Sequence, residues 1–159
     1  MAKALLVNLD KCTGCRSCEL ACSFKHHGEF NPSKSNIQVS IFTENAFYVP
    51  MVCTQCDKPF CGEVCPTGAI YAAETNGAYV VLVDKEKCVG CKMCTLACPF
   101  GAITYQSNGC VQKCNLCEGN PECVTFCIPG ALEFKDWELR TARKSRTYAE
   151  KIYHQKEAD

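Results

Sequence analysis

Residues 88–99 read CVGCKMCTLACP: Cys88, Cys91, Cys94 and Cys98 in a C-x2-C-x2-C-x3-C run closed by Pro99. Cys12, Cys15, Cys18 and Cys22 repeat that spacing, with Ser23 in place of the proline. Cys53, Cys56, Cys61 and Cys65 widen the middle gap to four residues and end in Pro66, and Cys114, Cys117, Cys123 and Cys127 widen it to five. Sixteen of the 17 cysteines therefore fall into four groups of four. Runs of this spacing supply thiolates to 4Fe-4S clusters. Four complete sets predict four clusters, about sixteen irons in all, and an electron conduit rather than a catalyst.

Composition points the same way. A chain of 159 residues makes one domain or two very small ones. It is 47% hydrophobic, but roughly 36% once the cysteines are set aside, below the ~45–50% of an ordinary globular domain. Inorganic filling would complete so thin a core, so folding is expected to depend on cluster assembly. The formal charge of zero describes neutral thiols. A cluster with four thiolates nets about minus two, so four of them carry roughly minus eight, which argues against nucleic acid as a partner. The start, MAKALLVNLDKC, runs directly into a ligand cysteine with no room for a signal peptide, and no apolar run approaches the roughly 18 residues of a membrane span. The expected location is cytoplasmic, with metal rather than disulfide the use of the cysteines.

A longer repeat surrounds the runs. Cys65-PTGAI, Cys98-PFGAI and Cys127-IPGAL share one phrase, and Ala4-LLVNLDKC ahead of Cys12 echoes Val80-VLVDKEKC ahead of Cys88. Each unit reads strand, cysteine loop, short helix with the last ligands, turn, strand. Proline stops the helix and glycine permits the turn. The first unit departs from this: FKHHGEFNPSKSN, residues 24–36, reads as an inserted surface loop ahead of a strand from Ile37 to Phe42, and a docking element. Asn76-Gly77 reads as a hairpin turn between Ile70-YAA and Tyr79-VVLV.

After Lys135 the cysteines stop. Residues 137 to about 156 lack glycine and proline and read as a helix capped by Asp136. Leu139, Ala142, Ala149, Ile152 and Tyr153 form its apolar stripe, with Arg140, Arg143, Lys144 and Arg146 near its start. Two readings stand: a helix folded onto its own body, or an arm clasping another subunit. The domain plan is residues 1–135 for the clusters and 136–159 for this tail.

Other chemistries fit the same residues less well. Zinc sites set C-x2-C pairs apart by longer loops, which these dense runs lack. Cys110, Cys114 and Cys117 spell C-x3-C-x2-C, the spacing of a radical-SAM cluster site, yet only 42 residues follow Cys117, too few for a barrel of roughly 200 or more. Cys110 is left as a spare thiol with a structural role. His26 and His27 read as solvated loop residues. No nucleophile–base pair, phosphate loop or nucleotide fingerprint is present, so no residue is assigned to catalysis.

Taken together, these motifs resemble the four-cluster ferredoxin-like electron-transfer subunits of molybdenum and tungsten enzymes, over nearly the whole chain to Lys135. The short fourth group, KCNLCEGNPECVTFCIPGAL, is most similar to the small subunits that accompany tungsten aldehyde oxidoreductases and class II benzoyl-CoA reductases. The resemblance implies an α+β fold of two bicluster ferredoxin-like units related by a pseudo-twofold axis, with the clusters in a line and a C-terminal helix beyond. It also implies crossed ligation, because the fourth cysteine of a ferredoxin run binds the other cluster of its pair. Cys12, Cys15, Cys18 and Cys127 would hold one cluster, and Cys114, Cys117, Cys123 and Cys22 a second. Cys53, Cys56, Cys61 and Cys98 would hold a third, and Cys88, Cys91, Cys94 and Cys65 a fourth. The implied partner is a large pterin-containing catalytic subunit, with further copies of the chain or a flavin- or NAD-linked subunit as additional candidates. Two alternatives remain: a free diffusible polyferredoxin, and the small subunit of a formate dehydrogenase or CO-dehydrogenase-linked hydrogenase system.

Overall fold

The computed structural model describes residues 3–106 and 109–136. The tail from residue 137, with its expected helix, lies outside the described residues, and Asp136 ends the last strand opposite Lys3.

Among the described residues eight strands form four antiparallel two-stranded sheets: β1 (Lys3–Val7), β2 (Ile37–Phe42), β3 (Phe47–Val52), β4 (Ile70–Thr75), β5 (Ala78–Val83), β6 (Ile103–Tyr105), β7 (Val111–Lys113) and β8 (Leu132–Asp136). Four helices alternate with them: α1 (Ser17–His27), α2 (Phe60–Glu63), α3 (Met93–Ala97) and α4 (Glu122–Thr125). Every cysteine run thus begins after a strand and continues into or past a short helix, as the repeat predicts. The sheets join successive units: β2 with β3, β4 with β5, and β6 with β7. β8 returns to pair with β1, Val7 facing Leu132, and closes the series into a ring. Across that ring α1 packs on α4, and α2 on α3.

β5 divides the interior. Its run AYVVLV is apolar throughout, as a strand covered on both faces requires. Because side chains alternate faces, Ala78, Val80 and Leu82 join one core with Leu5, Ile37, Val52, Leu116 and Leu132. Tyr79, Val81 and Val83 join a second with Ile70, Ile103 and Val111. The first core takes in Cys18, Cys22, Cys114, Cys123 and Cys127, together with Cys53. The second takes in Cys61, Cys65, Cys88, Cys94 and Cys98. The β4–β5 turn has Asn76 at φ 50° and Gly77 at φ 74°, the left-handed pair of a type I′ hairpin.

One expectation is corrected. Residues 24–36 are not simply an inserted surface loop: α1 continues through His26 and His27, and Gly28 at φ 68° ends it by donating its N–H to the Phe24 carbonyl. Basic residues in the last turn suit the negative end of the helix dipole. The Ser23 hydroxyl then accepts from the Asn31 N–H at 3.1 Å, and the chain runs inward so that Ser35 and Asn36 are buried. Among the described residues no helix is long and apolar enough to cross a membrane.

Candidate iron-sulfur sites

All four loops share one backbone device. The residue before the second cysteine is left-handed in each: Gly14 (φ 68°), Gln55 (φ 50°), Gly90 (φ 68°) and Leu116 (φ 54°). In the first and third loops a second left-handed residue follows the second cysteine, Arg16 (φ 60°) and Lys92 (φ 63°), and such left-handed steps turn successive N–H groups toward one side, the concavity that suits anionic iron-sulfur groups. Three amides donate to cysteine sulfur at 3.4 Å: Asn36 to Cys22, Leu116 to Cys114, and Leu132 to Cys127. The Thr54 hydroxyl lies 3.3 Å from the Cys56 sulfur.

The folded chain brings cysteines of different runs together. One opening, about 370 Å³ of free space partly open to solvent, is lined by Cys53, Cys56 and Cys61 with Cys98. Another, about 270 Å³, is lined by Cys88, Cys91 and Cys94 with Cys65. Electrostatic contacts trace the same exchange in the first core. Burial pushes the Cys18 thiol up to about 12, with the charges of Glu19, Cys127 and Cys15 adding to it. Burial likewise raises Cys117, and Cys22 is its strongest charged neighbour. Cys123 is raised by burial and then by Cys114, Cys22 and Cys117.

Contacts also cross from set to set. Cys123 feels Cys18. Cys114, pushed up to about 12 by burial, feels Cys53 ahead of Cys22 and Cys117. Cys94, raised by burial, feels Cys61 as well as Cys91 and Cys65.

The donor set fits iron-sulfur clusters. The sixteen cysteines of the four runs are thiols, none of them joined in a disulfide. Buried thiols pushed this high stay protonated until a metal takes the thiolate, so binding must release protons. Cys15 and Cys65 differ. Hydrogen bonds from Ser17 lower the first. For Cys65, burial raises the thiol, but hydrogen bonds from Thr67, Ile70 and Ala69 outweigh it and leave it lowered.

Several neighbours escaped the sequence reading. The His26 ring nitrogen lies 3.8 Å from the Cys117 sulfur, and burial holds this imidazole below its usual range. His27 meets the side-chain amides of Gln106 and Gln112 at 3.3 and 3.2 Å. Neither is a solvated loop histidine; the helical continuation of α1 carries His26 to the fourth run and His27 to Gln106 and to Gln112 in β7. Glu19, 2% exposed, accepts from Arg16 Nε and from the Val39 N–H, each at 2.6 Å. Gln55 ties three segments: its Nε2 donates to the Cys114 carbonyl at 2.9 Å, and its Oε1 accepts from the Val81 N–H at 2.9 Å and from Lys113 Nζ at 3.3 Å. Cys110 donates weakly to the Lys85 carbonyl at 3.9 Å. Apart from the i,i+3 pair Arg16–Glu19, the wide spacing of these partners along the chain left no local signal for them.

These loops and cysteine sets define an iron-sulfur protein, and comparison with known proteins identifies the family. Residues 44–137 and residues 11–70 each match a 4Fe-4S dicluster domain. The polyferredoxin-like subunit of aliphatic sulfonate oxidoreductase from Pyrococcus furiosus is 43% identical over 77% of this chain and 70% of its own. The putative electron transport protein YsaA of Escherichia coli is 32% identical over 87% of this chain and 92% of its own. YnfG of Escherichia coli, a probable anaerobic dimethyl sulfoxide reductase component, is 36% identical over 80% of this chain and 70% of its own. A solved chain of the active-site complex BamBC of benzoyl-coenzyme A reductase is similar over 84% of this chain and 75% of its own, at 28% identity and TM-score 0.49. The chain belongs to the 4Fe-4S dicluster family and binds four 4Fe-4S clusters.

Proposed function

We propose that this chain is a non-catalytic subunit that relays single electrons through four 4Fe-4S clusters to or from a large pterin-containing subunit carrying tungsten or molybdenum. The clusters would supply one-electron chemistry, and the chain's own residues set their order and surroundings. The proposed ligand sets are the crossed ones: Cys12, Cys15, Cys18 and Cys127; Cys22, Cys114, Cys117 and Cys123; Cys53, Cys56, Cys61 and Cys98; Cys65, Cys88, Cys91 and Cys94. Two pseudo-twofold-related pairs, runs one with four and two with three, carry these sets, in keeping with the packing of α1 on α4 and α2 on α3.

The observation that carries the reading is the placing of Cys53 in the core that holds Cys114, Cys22 and Cys123. Cys53 and Cys114 lie close enough for the charge of one to raise the other, while Cys18 with Cys123 and Cys61 with Cys94 link sites within pairs. The proposed order is therefore a single line, from the set of Cys12 through those of Cys114 and Cys53 to that of Cys88. A line of sites suits a fixed wire with two ends. The chain's similarity to components of aliphatic sulfonate oxidoreductase and of a probable dimethyl sulfoxide reductase supports a place within an oxidoreductase complex.

Anaerobic affinity purification from the native source, with metal analysis, tests this. A wire co-elutes with a large subunit containing tungsten or molybdenum. A chain that elutes alone, with all its iron, is a diffusible polyferredoxin instead.

A further inference from the structure

Lys113 is one of two charged side chains buried among the described residues, 6% exposed, and it ends β7 immediately before Cys114. The other, Glu19, has the Arg16 guanidinium 2.6 Å away as its counter-charge. For Lys113 the partners are neutral: Nζ donates to Gln55 Oε1 at 3.3 Å and to the Val81 carbonyl. No carboxylate among the described residues forms an ion pair with it. Two similar positions make the contrast sharp. Lys11 precedes Cys12 and Lys87 precedes Cys88, and both are exposed to solvent. Only in the fourth run is the lysine turned inward.

Burying an ammonium without an opposite charge is costly, and proteins meet that cost by pairing. The side chain of Lys113 lines the opening formed by Cys53, Cys56, Cys61 and Cys98. A cluster held by four thiolates supplies the missing negative charge, about minus two in its oxidised form. We propose that Lys113 is the built-in counter-charge of the cluster held by Cys53, Cys56, Cys61 and Cys98, and that it holds that cluster's reduction potential up. The proposal rests on the crossed ligation proposed above. Reduction adds a negative charge next to a fixed positive one, so the reduced form gains more from the ammonium than the oxidised form does. The low surrounding dielectric enlarges that difference. Gln55 and Val81 keep the ammonium in place, so the effect is positional.

The test is a potentiometric titration of the anaerobic holoprotein, read by paramagnetic resonance, beside an iron count. K113Q with full iron should contain one cluster at least tenfold harder to reduce, which is 59 mV for one electron, and K113R should stay within threefold of native. Unchanged potentials in K113Q, within twofold at every cluster, would overturn the proposal, as would an equal shift in K113R. Should K113Q lose iron, Q55E decides: it keeps the lysine but sets a carboxylate on it, so one potential should again fall, and unchanged potentials overturn the idea. Cys61→Ser and Cys98→Ser test the ligation separately. If they alter two different clusters, the crossed assignment fails whatever Lys113 does.

Discussion

Gln55→Leu should loosen the junction between the two halves of the protein. Gln55 is 6% exposed and its amide serves a carbonyl in run four, a backbone N–H in β5 and the Lys113 ammonium. Leucine removes all three bonds while keeping a similar volume. It also suits the backbone, because Leu116 occupies the equivalent position in run four at φ 54°, against φ 50° for Gln55. The Val81 N–H and the Cys114 carbonyl are left buried without these partners, each costing about 1–3 kcal/mol. Apolar contacts of the leucine return part of that, so the net loss should be ~3 kcal/mol, roughly 100-fold in the opening equilibrium. Native-state hydrogen exchange reads such openings directly. Protection across β5 and β7 should fall together by about that factor in protein that retains its iron. A loss below about threefold at these amides would refute the view that Gln55 holds the halves together.

Cys22→Ser should disturb the cluster of Cys114, Cys117 and Cys123 and spare that of Cys12, Cys15 and Cys18, as paramagnetic spectra would reveal; damage confined to the latter contradicts crossed ligation. Gly90→Ala should cost far more than Gly101→Ala. Both glycines have φ near +60°, 68° and 59°, which costs alanine ~1–2 kcal/mol, but only at Gly90 does a new Cβ run into the Gly109 carbonyl oxygen. Iron bound after expression should therefore drop in G90A and stay near native in G101A, and equal iron in the two would count against a tight loop there. Removal of residues 137–159 should leave iron and visible absorption intact while size-exclusion chromatography shows loss of complex formation with the partner. Loss of the clusters would place the tail in the protein's own core instead.

Much of this architecture is legible in local patterns. The continuous apolar run of β5, the Asn76-Gly77 turn and the strand from Ile37 to Phe42 declare themselves within a few residues, because each needs only backbone conformation and facing side chains. The sixteen cysteines are equally plain, since each group of four falls within one short stretch of sequence. What escaped lies in contacts between distant segments. β1 and β8 close the ring from opposite ends of the described chain, and nothing in either strand names the other. Gln55 and Lys113, 58 positions apart, are residue types that sequence assigns to the surface, and only burial beside the cysteine sets reveals their use. His26 and His27 read as loop residues because the stretch between Cys22 and the strand from Ile37 reads as an insertion, whereas the helix begun at Ser17 runs on to them before Gly28 ends it.

The count of iron and acid-labile sulfide in anaerobically prepared protein tests the central claim most directly. Four thiolate sets predict about sixteen of each per chain. A value near eight, or stoichiometric zinc in place of iron, would contradict the four-cluster relay.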